Sequence, residues 1–361
     1  MNKFEGSYLQ GLIEQICNVF QQTVYCDEAS RLVLAIWAAC TWFPEQFDFF
    51  PRLYLVSVVK GSGKTTCLEV LNRVSYQPIP ASSISEAAIY RILDKGFSTL
   101  LLDEVDNMGL DQRGPLLRIL NAGHQKDGFA IRCGDSKQNF EAIRYKCSGF
   151  VAFAGIDGFI TDTLLGRSIQ INLVPSKKTP GLKRLSKVDS KLIDSIKHGL
   201  GMLRDNQTFL KQLKEFEPSE LYQNRTQDNW EPLMKVAGVA GKALSSRLFE
   251  ASHQLESNKA VDDEDVKIVL LTDIRRVFYD SNLIKIHTSR LVDCLSNLED
   301  SRWSTYNRGR PLNTHQLTKW LRSFKLKTER IKVDGKTSTG YRIEQFDPIW
   351  DSYLPSQDPS K

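Results

Sequence analysis

The stretch Arg52-Leu53-Tyr54-Leu55-Val56-Ser57-Val58-Val59-Lys60-Gly61-Ser62-Gly63-Lys64-Thr65-Thr66 decides the fold. Its first half is an apolar, β-rich run of strand length; its second half is a glycine-rich turn that opens into Lys64–Val74, where apolar residues recur at helical spacing. A strand that turns through glycines into a helix points backbone N–H groups and the positive end of the helix dipole at an anion. Gly61, Ser62, Gly63, Lys64, Thr65 and Thr66 are therefore expected to cradle the phosphates of ATP, with Lys64 reaching the β- and γ-phosphates and Thr65 ligating magnesium. The G-x-x-x-x-G-K-[ST] pattern places a glycine where this chain has Val58, so the first turn of the loop departs from the usual one.

Beyond this loop, strand-like and helical segments alternate: QPIPA, SEAAIYRILDK, STLLLDE and PLLRILNAGH, then the buried runs Gly149–Ala154 and Ser168–Leu173. That rhythm predicts an α/β fold with a five-stranded parallel sheet. The run Ser98–Glu104 ends in two carboxylates at the edge where such a sheet opens onto its ligand, so Asp103 is expected in the magnesium shell and Glu104 beside the attacking water. Between the third helix and the fourth strand, FAIRC and QNFEAIRY flank Gly134-Asp135-Ser136-Lys137, the signature of an inserted β-hairpin. Ahead of the sheet, residues 7–44 read as two helices broken near Val24–Asp27. After it, the linker PSKKTPGLKRLSK leads to helices reaching about Asn282. Helical runs at Thr288–Leu298 and Thr314–Phe324 follow, then two strands in TERIKVDGKTSTGYRI. The expected divisions are a helical collar at 1–46, an ATPase core at 47–174, a linker and helical lid at 175–282, and a basic C-terminal domain at 283–361.

Composition narrows the class. The chain has 361 residues, 41% hydrophobic and 25% charged, enough apolar material for two or three cores and too much for disorder. Seven cysteines without a C-x-x-C pair, and five scattered histidines, argue against disulfides and a zinc cluster. No secretory signal is visible, and the apolar stretch Leu32–Pro44 is too short to span a bilayer, so a cytoplasmic protein without membrane contact is expected. A net charge of +5 names no partner, but it is unevenly spread: Trp303–Ile343 alone carries ten basic and two acidic residues, +8, leaving −3 elsewhere. Helix, helix and hairpin in that order are the geometry of a winged helix, with Arg308, Arg310, Lys319, Arg322 and Lys336 as candidate contacts to DNA phosphates. A winged helix used for protein contacts is the alternative.

The chain resembles the AAA+ class of P-loop ATPases and, more closely, the helicase-like family catalogued as domain of unknown function 3631, found in phage, plasmid and island replication proteins. The segments that carry the resemblance are TWFPEQFDFFPRLYLVSVVKGSGKTT, STLLLDEVDN, RILNAGHQKDGFAIR, GFVAFAGIDGFITDTLLGRSIQINL, QDNWEPLMKVAG and NRGRPLNTHQLTKWLRSFKLKTERIKVDGKTSTGYRI, spread from about Thr41 to Leu354. The resemblance implies a five-stranded AAA+ core, a helical lid and a winged-helix-like end. It assigns Lys64, Thr65, Asp103 and Glu104 the roles given above, makes Arg167 an arginine finger acting across a subunit boundary, and makes Arg225 a sensor candidate. Many AAA+ proteins end the fourth strand with an Asn or Thr that orients water; here that strand reads Ala152-Phe153-Ala154-Gly155-Ile156-Asp157, with Asn121 a substitute. The inserted hairpin stands where superfamily-three helicases carry a DNA-tracking hairpin, so Lys126, Arg132 and Lys137, with Arg144 nearby, are candidate contacts, a plain surface hairpin being the alternative. The expected function is magnesium-dependent ATP hydrolysis coupled to movement on single-stranded or forked DNA, in a homo-oligomeric ring, with a hexamer favoured and any primase or defence partner a separate chain. The alternative is an ATP-controlled DNA-binding switch, such as a regulator, partition factor or immunity-system subunit, that does not unwind DNA.

Overall fold

β1 (Arg52–Ser57) is buried along its whole length, as a central parallel strand covered by helices on both faces must be. The computed structural model describes residues 3–57, 61–82, 84–105, 110–133, 141–156, 160–175, 181–298, 301–304, 306, 311–333 and 335–354. After β1 come α3 (Lys64–Val74), β2 (Pro78–Ala81), α4 (Glu86–Asp94), β3 (Thr99–Leu102) and α5 (Leu110–Ala122). The pair β4 (Phe129–Cys133) and β5 (Ala142–Lys146) follows, then β6 (Val151–Ile156), α6 (Asp162–Leu165) and β7 (Ser168–Asn172). The main sheet has the order β2-β3-β6-β1-β7, with every neighbour parallel. β4 and β5 pair antiparallel outside it as the expected hairpin; its Gly134–Lys137 tip lies outside the described residues.

Alternation along β1 sorts the layers. Leu53 and Leu55 enter one core with α3 and the helices α1 (Lys3–Thr23) and α2 (Glu28–Cys40), whereas Tyr54 and Val56 enter another with α4 and α5. The break between α1 and α2 falls where Asp27 accepts the Ser30 N–H at 2.7 Å and so restarts the helix. On the same face as α1 and α2 lie α7 (Ser190–Asp205), α8 (Gln207–Glu215), α9 (Asn224–Ala240) and the first part of α10 (Lys242–Asp280). α1 packs on α7 and α9, and α2 on α9, so the two leading helices share one core with the helices that follow the sheet.

The chain divides into two compact units, Met1–Glu256 and Ser257–Lys361, with the division inside α10. The sequence reading set the boundary later, at 282/283. Leu270, Leu271, Ile274 and Phe278 of α10 belong instead to the C-terminal core, together with Trp303, Leu317, Leu321, Tyr341 and Trp350. Two indoles fix that helix: Trp303 Nε1 donates to Asp273 Oδ2 at 2.6 Å and Trp350 Nε1 to the Leu271 carbonyl at 3.1 Å. The unit then runs β8 (Lys285–His287), α11 (Thr288–Ser296), α12 (Thr314–Ser323), β9 (Glu329–Val333), β10 (Lys336–Arg342) and α13 (Asp347–Tyr353). Its antiparallel sheet has the order β8-β10-β9, and Asn313 with Gln316 closes a capping box on α12. The two strands and two helices expected from the sequence are present in this unit, and β8 is the one strand that the sequence does not announce. No helix among the described residues is long and apolar enough to cross a membrane.

Candidate active site

The loop between β1 and α3 turns through two left-handed glycines, Gly61 at φ +77° and Gly63 at φ +90°. A Cβ at either position would be strained by about 1–2 kcal/mol, which is why this turn is written with glycine. Between them Ser62 is buried, and its Oγ has no hydrogen-bond partner among the described residues. Gly63 gives α3 no side-chain cap, so the first-turn N–H groups are offered to a ligand. Lys64 donates through Nζ to Ser57 Oγ at the end of β1. Thr65 Oγ1 donates to Asp103 Oδ2 at 2.8 Å, joining the P-loop helix to the end of β3, and the pair opens on a cleft of about 250 Å³ between α3 and the β2–β3 edge.

Asp103 is held from two sides: its N–H donates to the Ala81 carbonyl at 3.0 Å, and its Oδ1 accepts the Glu104 N–H at 2.9 Å. Glu104 follows with φ +51°, a conformation that non-glycine residues adopt at a cost. These observations fit ATP with magnesium. An orphaned buried hydroxyl and uncapped N–H groups suit phosphate oxygens, and a hydroxyl and a carboxylate in contact suit a hard cation that keeps most of its shell as water and phosphate. Lys64, Thr65, Asp103 and Glu104 are thus brought together at one end of the sheet.

Arg167 is not among them. It lies in the turn before β7, whose first residue Ser168 pairs with Arg52 at the start of β1, so it stands at the opposite end of the sheet from the phosphate loop. Six strand residues separate the two ends, roughly 20 Å. Its guanidinium donates to the Thr163 carbonyl at 3.0 Å and to Asn121 Oδ1 at 3.4 Å. Burial, and then Arg225, hold it below the usual arginine range, with Asp228 acting the other way. Arg225 is therefore within electrostatic reach of Arg167. Asn121 is likewise committed at this end, its Nδ2 donating to the Leu117 carbonyl, so it is not beside Glu104.

Sequence reasoning missed the buried polar groups at this end. His124 is 2% exposed and Asn229 is fully buried, and their side chains meet at 2.9 Å. The signal was present in α9: Asn229 shares a helical face with the apolar Leu233, Val236 and Ala240. Arg52, also fully buried, donates through Nε to the Leu120 carbonyl at 2.9 Å and through Nη1 to the Gly149 carbonyl, tying the end of α5 to the lead into β6.

The hairpin's basic residues separate into tied and open ones. Arg132 turns inward: it pairs with Glu86, bonds the Tyr90 hydroxyl and lies 4.6 Å from the Tyr90 ring centroid. Lys126 Nζ donates to the Glu45 carbonyl at 2.9 Å and lies 3.8 Å from Asp48. Lys137 lies outside the described residues. The opposite hairpin face carries exposed Phe129 and Ile131, with Arg144 stacked 3.6 Å from the Phe129 centroid. In the C-terminal unit, Lys319, Arg322 and Lys336 are exposed, and Lys319 and Arg322 line a groove of about 540 Å³ between α12, the start of α11 and β10; Arg308 and Arg310 lie outside the described residues.

A family model described as a protein of unknown function (DUF3631) matches residues 186–353, which take in α7–α9 and most of the C-terminal unit. Among curated proteins, an uncharacterized 28.9 kDa protein in the xis 5′ region of Saccharopolyspora erythraea is 30% identical over 145 residues, 40% of this chain and 54% of that protein. The chain thus spans about half the length of that relative. Among solved structures, the apo A form of the NrS-1 C-terminal region is similar at 13% identity and a TM-score of 0.38, over 93% of this chain and 75% of that one. SCCmec type IV Cch, described as an active helicase, is similar at 12% identity and a TM-score of 0.40, over 92% and 70%.

Proposed function

We propose that this chain is a magnesium-dependent ATPase of the AAA+ type that works on DNA as a ring-forming helicase of a mobile genetic element. The observation that carries the reading is the 2.8 Å contact between Thr65 and Asp103 at the mouth of the glycine turn, because it joins two halves of a phosphoryl-transfer site that lie far apart in sequence. Lys64, freed from Ser57, reaches the β- and γ-phosphates, while the N–H groups of Gly61–Thr65 and the Ser62 hydroxyl hold phosphate oxygens. Glu104, carried by a strained backbone, accepts the proton of the attacking water. Magnesium, when bound, supplies charge against the phosphate oxygens. Arg167, at the far end of the sheet, meets this site only when a second copy presents it, which supports ATP bound between subunits.

On the DNA side, the outward hairpin face suits single strands: Phe129 offers a base a stacking surface and Arg144 a phosphate or a second π-face. The groove along α12 suits a duplex backbone. One observation favours the rival reading of an ATP-controlled DNA-binding switch: Arg132 and Lys126 are committed to protein partners, while Lys319 and Arg322 are open. A forked duplex decides. The helicase reading expects ATP hydrolysis stimulated by single-stranded DNA, strand separation, and loss of both in Lys64→Ala. Retention of duplex without separation favours the switch, and absence of hydrolysis in the wild-type chain refutes both.

A further inference from the structure

One buried chain of hydrogen bonds links three parts of the first unit. The Asn229 amide in the lid helix α9 donates through Nδ2 to the Gly166 carbonyl at 3.0 Å, and its Oδ1 lies 2.9 Å from His124 Nε2. The orientation is forced, since a carbonyl only accepts: the amide nitrogen must face Gly166, so Oδ1 faces the imidazole and Nε2 must carry the proton. Burial, and then Arg52, push the His124 ring down to about 3, which keeps it neutral, and the Asn229 oxygen selects the tautomer.

Each end of the chain reaches a working part. Gly166 is the residue before Arg167, in a turn whose backbone is pinned to β1 by the bond from the Arg52 N–H to the Arg167 carbonyl, 3.0 Å. Asn229 is one turn beyond Arg225 on α9, so a single helical face brings Arg225, Asp228 and Asn229 up to Arg167. His124 stands between α5 and the hairpin strand β4, and its carbonyl accepts the Phe50 N–H at 2.7 Å. A movement of the lid helix therefore pulls directly on the turn that carries Arg167 and on the base of the hairpin.

We infer that Asn229 is a positioning residue for Arg167: by gripping the Gly166 carbonyl it sets where the lid holds that guanidinium for a neighbouring copy's nucleotide. The inference rests on the reading of the site as an ATPase shared between copies. Its test uses the full chain. Asn229→Asp keeps the shape but sets a carboxylate oxygen against the Gly166 carbonyl. The expected result is a fall in kcat of about tenfold or more, with KM for ATP changed less than about twofold, because the variant's own phosphate loop is intact.

Mixing supplies the readout that a merely structural role would not move. Lys64→Ala chains are inactive in their own pocket but present a sound Arg167. Mixed with Asn229→Asp they should raise hydrolysis above the sum of the separate proteins, as they should when mixed with Arg167→Ala. A mixture of Lys64→Ala and Asn229→Asp that only sums, beside an Arg167→Ala mixture that recovers, overturns the positioning role. Failure of the Arg167→Ala mixture, or a wild-type chain without hydrolysis, overturns the shared-site reading instead. Should Asn229→Asp not fold, a second pair decides: His124→Gln, which keeps an N–H facing Asn229, should recover most of the kcat that His124→Leu loses, and equal losses in the two overturn the inference.

Discussion

His124→Gln is expected to make the fold less sensitive to acid. In the folded chain, burial, and then the Arg52 charge, hold the imidazole down to about 3, against an ordinary value near 6.5. As pH falls through about 6.5 the unfolded ring takes up a proton, and the folded ring does not until about 3. The unfolded state binds more protons across that whole window, so the contribution to stability is complete above pH 6.5 and is lost as the pH falls. At pH 5 the unfolded ring is charged about 30 times more often than neutral while the folded ring stays neutral, a loss of about 2 kcal/mol relative to pH 7.5. Glutamine does not titrate, yet it keeps an N–H for Asn229 Oδ1. Urea unfolding followed by tryptophan fluorescence, at pH 7.5 and at pH 5, gives four stabilities. The wild-type chain should lose about 2 kcal/mol more than the variant between the two conditions. His198, His253, His287 and His315 are common to both chains and cancel in the difference. Parallel losses in the two proteins would show that the His124 ring is not held neutral in the folded chain.

Gly63→Ala places a Cβ at φ +90°, so it should cost about 1–2 kcal/mol and lower both the melting temperature and the affinity for ATP, measured by thermal shift with and without nucleotide. Arg132→Ala releases the hairpin from Glu86 and Tyr90 and should lower the melting temperature, whereas Arg144→Ala should weaken single-stranded DNA binding and reduce its salt slope by about 0.7. Fluorescence anisotropy across a salt series separates the two, and an equal effect of both variants on DNA would contradict the orientation of the hairpin. Lys319→Ala with Arg322→Ala should weaken duplex binding uniformly across sequences and reduce the salt slope by nearly two, since both side chains line one groove.

How much of this was legible in the sequence follows from the range of the interactions. The inner strands β1, β3 and β6 announce themselves as short apolar runs because they are buried on both faces, and the P-loop is a local string whose φ angles demand the two glycines that spell it. Longer-range features left weaker marks. β8 has three residues, too few for periodicity to register, and it exists because β10 pairs with it about fifty positions later. The division inside α10 carries no Gly or Pro, so nothing in its 39 residues tells where one core hands over to the next. The hairpin is the instructive case. FAIRC sets apolar residues at three consecutive positions, so alternation does not say which face is inward, and Arg132 looks as open as Arg144. What settles the face is Glu86, forty-six residues earlier, which supplies the carboxylate that draws Arg132 under the hairpin and leaves Phe129, Ile131 and Arg144 outside. The same logic holds for Asn229. A polar residue on an apolar helical face must find partners for both ends of its amide or forfeit about 1–3 kcal/mol for each end left bare, so its position in α9 already requires two buried partners. That requirement is readable in the sequence. The identity of the partners, a histidine before the hairpin and the carbonyl beside Arg167, is a property of the folded chain, and those partners distinguish Asn229 from a residue that merely packs.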